Sequence, residues 1–217
     1  MNGFSDNIFN IDFKTSFLEN TLEHLVKCSN KMKYDCLKTG EYLHDNEDKI
    51  SARLVEKYLN ENELYLRFIP QKSENYDPKN DTYLGRTDIT VVSKDWFKDS
   101  KCYYIIECKR LDGKAYLNRE YINEGIARFV ATPTKYPSYK NQNIMFGYIV
   151  KNIDIPKNTA KLEKLQNKLL NGINAGSYIL ISYVDSEHYI YSCKYHSEAY
   201  MIELKHLFYN FSDVINP

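Results

Sequence analysis

Apolar positions keep a helical spacing through the first sixty residues and then shift toward the alternation of strands. Phe17, Leu18, Leu22, Leu25 and Met32 predict a helix that Asp12 or Thr15 caps and that ends near Met32. A loop at Thr39-Gly40 follows. The stripe Ile50, Leu54, Val55, Tyr58 and Leu59 predicts a second helix, from an N-cap at Asp45, with Asp48 three residues on, to about Asn60. Residues 64–69, 83–92 and 102–109, rich in Tyr, Ile and Val, read as strands, with a polar turn-rich loop over 75–81. A helix over 118–130 presents Tyr121, Ile122, Ile126 and Phe129, a strand covers 144–150, and Leu162, Leu165, Leu169 and Ile173 mark a helix over 159–173. Residues 178–184 and 188–193 form a hairpin around Asp185-Ser186-Glu187, and the rest reads as a loose tail. The order α-α-β-β-β-α-β-α-β-β predicts an α/β fold with a mixed central sheet flanked by helices.

Composition narrows the class. The 217 residues are 43% hydrophobic and 27% charged, with 8 Gly and 6 Pro, which excludes a disordered or collagen-like chain. Without an internal repeat or a Gly/Ser/Pro linker, residues 1–217 are expected to form a single domain. It would have a helical extension over 1–40, a core over 45–150, and a helix and hairpin over 151–217. No apolar run approaches the ~20 residues of a membrane span. Met1-Asn2-Gly3-Phe4-Ser5-Asp6 lacks a basic-then-apolar leader, so a cytoplasmic protein with no membrane partner is expected. Cys28, Cys36, Cys102, Cys108 and Cys193 form no CxxC pair and read as reduced, packed thiols. Net charge is zero, but residues 101–151 carry nine basic side chains against four acidic ones, which fits a confined polyanion-binding face.

The informative segment is Gly85-Arg86-Thr87-Asp88-Ile89, followed by Tyr104-Ile105-Ile106-Glu107-Cys108-Lys109-Arg110. Side chains alternate along a strand, so Ile105, Glu107 and Lys109 share one face and Cys108 points to the other. That orientation argues against Cys108 as a nucleophile. Asp88 lies on the preceding strand, and its pairing with this one would bring a second carboxylate near. Two carboxylates and a backbone carbonyl make a hard oxygen site for Mg²⁺ or Mn²⁺, and an adjacent ammonium can orient water or stabilise charge on a phosphate.

These residues resemble the PD-(D/E)xK, or restriction-endonuclease-like, nuclease superfamily. Asp88 matches the Asp of the motif and Glu107-Cys108-Lys109 its (D/E)xK, with Thr87 standing where the name-giving Pro would be. The predicted elements over about 45–150 follow the αβββαβ core of that family. The resemblance implies that Asp88, Glu107 and the Cys108 carbonyl ligate Mg²⁺ or Mn²⁺, and that Lys109 helps activate the attacking water. It also implies a further acid from the preceding helix. Helical geometry selects Glu47, which projects within the Ile50/Leu54/Tyr58 stripe, over Asp48 at its edge and Glu56 toward solvent.

The expected activity is therefore metal-dependent hydrolysis of phosphodiester bonds, of DNA in the first instance, with a host role in restriction or anti-phage defence by family analogy. The expected partners are nucleic acid and either a second copy or a larger defence complex. Arg110, Lys114 and Arg119 are candidates for phosphate contact without base readout. The rival readings are a noncatalytic nucleic-acid-binding or assembly subunit that keeps the fold, and an RNA-cleaving toxin. Glu124 and Arg128, spaced i, i+4, read as a solvated pair, Gly125 as a close-packing residue, and Lys157, Lys161, Lys164 and Lys168 as a solvated face. His188, His196 and His206 read as structural or surface groups.

Overall fold

The computed structural model describes residues 7–93, 103–132, 134–136, 141–198 and 200–216. Cys102 and the start of its expected strand lie outside the described residues. The chain opens with α1 (Asn7–Thr39), upstream of both Asp12 and Thr15. It runs past Met32 because Cys36, one helical turn on, continues the buried stripe. Gly40, at φ +74°, ends it by donating its N–H to the Cys36 carbonyl at 2.9 Å. Helix α2 (Glu47–Leu54) begins one residue later than expected. Asn46 is its N-cap and accepts from the Lys49 N–H at 3.0 Å, and the last turns widen into a π turn at Val55–Leu59.

The central sheet has eight strands. Its path runs β1 (Arg67–Pro70), β4 (Ile89–Val92), β5 (Tyr103–Leu111), β6 (Gln142–Ile149), β10 (Met201–Asn210), β9 (His188–His196) and β7 (Asn174–Ala175), with β8 (Ile179–Val184) also on β9. The strand expected over 83–92 is divided. Its first part belongs to a separate hairpin of β2 (Ser73–Asp77) and β3 (Thr82–Arg86), which also takes in part of the expected loop, and its second part is β4. The break falls at Thr87, whose N–H donates to the Lys72 carbonyl at 2.9 Å while Asp88 accepts from Gln71.

Strands β1, β4 and β5 are antiparallel to their neighbours in turn, and β6 lies parallel to β5. The crossover between β5 and β6 contains α3 (Ala115–Tyr121), a π turn at Ile122–Ile126 and α4 (Ala127–Val130). Helices α1 and α2 cover one sheet face, over Tyr104, Ile106, Cys108, Phe146 and Tyr148. The α3–α4 segment and α5 (Ile155–Leu169) cover the other, over Ile105, Leu111, Met145, Ile149 and Phe208. The fold is thus α/β, with a mixed central sheet between helical layers.

The expected loose tail is corrected. Residues 201–210 form β10, parallel to β6 and antiparallel to β9, in the interior of the sheet. Its polar residues disguised it, and each has a partner. Glu203 binds Lys205 at 2.7 Å, and the fully buried His206 sits between the hydroxyls of Tyr121 at 2.8 Å and Tyr195 at 3.2 Å. Among the described residues, no helix is long and apolar enough to cross a membrane.

Candidate functional site

The register of β4 and β5 sets the site. Ile89 pairs with Ile106, so Asp88 comes level with Glu107 at the point where β4 begins. The Cys108 N–H donates to Asp88 Oδ2 at 2.7 Å, which ties the acid to the strand beside it. Alternation then turns Glu107 and Lys109 toward α4, while Cys108 enters the opposite core and meets the Tyr148 hydroxyl. Glu47 comes from the first turn of α2. Its carboxylate accepts from Lys109 Nζ at 2.7 Å and from the Arg110 N–H at 3.2 Å.

Lys109 is the centre of the cluster. The residue is 6% exposed, and its ammonium lies 2.7 Å from Glu47, 3.0 Å from Glu107 and 3.8 Å from Asp88 and also donates to the Cys108 carbonyl at 2.7 Å. The four sequence-selected side chains are therefore together. Gly125 lets the crossover helix approach this group, because a Cβ there would stand 3.3 Å from Lys109 Cγ and 2.6 Å from Met145 Cε.

Two further residues complete the cluster. Arg128 NH1 stands 3.2 Å from Glu107 Oε1 and donates to the Tyr136 hydroxyl at 2.6 Å. The i, i+4 contact expected for Arg128 with Glu124 is present but longer, at 3.8 Å. Tyr136 has one hydroxyl hydrogen and two acceptors in reach, the Arg86 carbonyl at 2.5 Å and Glu107 Oε2 at 2.8 Å. Gly85 makes room for that ring, since a Cβ would come within 2.8 Å of Tyr136 Cε1 and of the Lys135 carbonyl.

Burial dominates the electrostatics. Desolvation, and then the neighbouring Asp88, push the Glu107 carboxyl up to about 8. Desolvation likewise raises Asp88 and Glu47 against the opposing pull of Lys109. Burial acts against the Lys109 ammonium, but Glu107, Asp88 and Glu47 outweigh it and hold its pKa above the ordinary lysine value.

By chemistry alone, the Asp88 and Glu107 carboxylates, the Cys108 carbonyl and Glu47 behind them are hard oxygen donors of the kind a divalent cation takes. Glu107 Oε1 is buried and makes no well-aligned hydrogen bond, but it faces two cations, Lys109 at 3.0 Å and Arg128 at 3.2 Å. Among the described residues, however, no three His, Cys, Asp or Glu side chains stand in metal-holding geometry. The carboxylates are turned on the Lys109 ammonium, which would have to swing aside for an ion.

Of the residues expected at phosphates, Arg110 is committed to Asp45, through its carboxylate at 2.7 Å and its carbonyl at 2.8 Å, whereas Lys114 and Arg119 are exposed. A separate groove of about 680 Å³ is lined by His24, Cys28, Lys31, Tyr58 and Glu61 and contains none of the site residues. Its Cys28 and His24 are 3.4 Å apart, but desolvation pushes the thiol up to about 11 and the imidazole down, the reverse of a thiolate–imidazolium pair. Comparison of the chain with protein-family models, curated proteins and solved structures finds no match.

Proposed function

We propose that the chain is a Mg²⁺- or Mn²⁺-dependent nuclease with a restriction-endonuclease-like core that hydrolyses phosphodiester bonds of DNA. The observation that carries this reading is the convergence of Asp88, Glu107, Glu47 and Lys109 at one end of β5. There the antiparallel run β1-β4-β5 passes through a helical crossover to the parallel β6. Asp88, Glu107 and the Cys108 carbonyl would hold the ion, and Glu47 would anchor Lys109 or join the ligands. A bound divalent cation supplies a lowered water pKa and neutralises charge on the phosphate. Lys109 would orient the attacking water and stabilise charge developing on the phosphoryl oxygens. Arg128 and Tyr136 hold the Glu107 carboxylate from its far side and fix its direction.

The test is cleavage of plasmid DNA, single-stranded DNA and RNA with Mg²⁺, Mn²⁺ or EDTA, with Asp88→Ala, Glu107→Ala and Lys109→Ala in parallel. Metal-dependent cutting lost in all three variants is the expected result, and the preferred polymer separates a DNA nuclease from an RNA-cleaving toxin. Variants that fold and still cut normally would sink the assignment. A second reading, a noncatalytic nucleic-acid-binding or assembly subunit, draws on the carboxylates being turned on Lys109. Nucleic-acid binding with neither cleavage nor calorimetric Mg²⁺ binding would favour it.

A further inference from the structure

The two ends of the central sheet are treated differently. At one end β1 has four residues and carries Arg67 and Pro70, two features that discourage a strand from pairing with another chain. At the other end, β8 pairs only with β9 among the described residues, which leaves its outer edge open. All six of its residues are exposed, and Ile179, Leu180, Ile181, Tyr183 and Val184 expose between 46% and 65% of their surface. The sixteen residues 169–184 contain no charge, and β8 has no proline. A bulge at Ile181 interrupts the register with β9, but it adds neither charge nor proline to the edge.

The pattern of β8 is that of an interior strand. Its apolar residues do not alternate with polar ones, and such a strand is stable when both faces are covered and both edges paired. Neither helical layer extends over it. Its apolar surface continues past Val184 onto α1, where Tyr34 and Leu37 are 62% and 54% exposed and line a cavity of about 350 Å³ with Val184 and Tyr209. An exposed apolar stretch of this kind marks an interaction surface.

We infer that β8 is the contact by which two copies of this chain pair, edge to edge and antiparallel about a two-fold axis. Charge selects the occupant. A two-fold axis through the middle of β8 sets an uncharged strand against its own uncharged copy, and it places the two Asp185 side chains at opposite ends, roughly 20 Å apart. A charged peptide would find no complementary group on β8 itself, and Lys33 and Glu187, which line the adjoining cavity, already face each other at 3.8 Å. Area sets an upper bound: the half-exposed side chains of β8 offer on the order of 500 Å² per copy, of which edge pairing buries a part, so the roughly 1,000 Å² of a specific interface needs the adjoining apolar surface as well. Tyr34 and Leu37 belong to that surface. Eight-strand sheets of two copies would then join into one continuous sheet, which removes the open edge.

The test is the mass of the full chain by light scattering and sedimentation from about 1 to about 100 µM. It needs no nuclease activity, so it stands or falls apart from the function proposed above. The expected mass at the upper concentrations is twice the 25.6 kDa of one chain. Ile179→Lys/Ile181→Lys, with unchanged far-UV circular dichroism, is expected to stay at one chain throughout. A wild-type monomer at every concentration overturns the inference, whether the edge is then taken by another protein or by a segment of the same chain. A double variant that still pairs overturns it equally. If that variant fails to fold, hydrogen exchange of the wild type decides: amides of 179–184 should exchange at least about tenfold more slowly at high concentration, and equal rates refute the pairing.

Discussion

Replacing Lys109 by Met asks whether one ammonium holds the buried acids together. Methionine keeps much of the apolar stem and removes the charge. The ammonium stands 2.7 Å from Glu47, 3.0 Å from Glu107 and 3.8 Å from Asp88. At such distances, with an effective dielectric of about 20, each pair attracts by on the order of 5 kcal/mol before desolvation is counted. Desolvation offsets most of that in the intact cluster, because Glu107 is fully buried and Lys109 nearly so. Deleting the lysine is not symmetrical. Glu107 and Asp88 stay desolvated, and Arg128, 3.2 Å from Glu107, is the nearest remaining cation among the described residues. The expected loss is about 3–5 kcal/mol, the range for breaking a buried pair from one side.

The assay is urea unfolding in EDTA at about pH 9, above the value of about 8 to which burial pushes Glu107. There the wild-type acid is ionised and gains most from the ammonium, so its removal is felt most. Raised carboxyls favour the folded state while protonated, so the loss should shrink as pH falls toward about 5 and the acids take up protons. A double-mutant cycle with Glu47→Gln should give a coupling of about 1–2 kcal/mol, reduced because the Glu47 side chain is 26% exposed. A Lys109→Met loss under about 1 kcal/mol, or a coupling near zero, refutes the cluster as a shared charge system.

Tyr136→Phe removes a hydroxyl that serves Glu107, Arg128 and the Arg86 carbonyl. The expected destabilisation is about 1–3 kcal/mol in thermal unfolding, and less than ~0.5 kcal/mol would deny it that role. His206 is buried and desolvated, with its pKa lowered to about 3. The unfolded chain binds the extra proton first, so the neutral ring supports the fold above about pH 6.5 and loses that support as pH falls toward about 3. The stability gap between wild type and His206→Gln should therefore narrow from about pH 7 to about pH 4; a constant gap in urea titrations at both pH values rejects the assignment.

Regular periodicity was legible, and its interruptions were not. The stripe from Leu18 to Met32 located α1, although its end lay at Gly40, where the backbone turns left-handed. A continuous β-rich run over 83–92 read as one strand, because the bend at Thr87-Asp88 comes from pairing with Gln71 and Lys72 some fifteen residues away. Strand β10 was missed for a similar reason. Glu203, Lys205 and His206 look solvated in isolation, and only their partners on Ser192, Tyr121 and Tyr195 allow them inside a sheet.

The candidate site shows the same division between local and distant information. Asp88, Glu107 and Lys109 were legible from strand alternation and a neighbouring strand, and Glu47 from the face of one helix. Arg128 was read by its nearest sequence partner, Glu124, and assigned to solvent. Charge accounting would have corrected that reading. Three acids converging on one buried lysine leave an excess of negative charge, and a buried carboxylate needs a donor for each oxygen. Lys109 reaches the cluster from one side only, so Glu107 requires a second cation from the element that crosses over β5. On the crossover helix Arg119 is exposed and Arg128 is the basic residue turned inward. Its guanidinium therefore answers the electrostatic demand of the acids rather than the i, i+4 rule of its own helix. Tyr136, six residues beyond Val130 where that helix ends, brings its hydroxyl within 2.8 Å of the other oxygen, Glu107 Oε2.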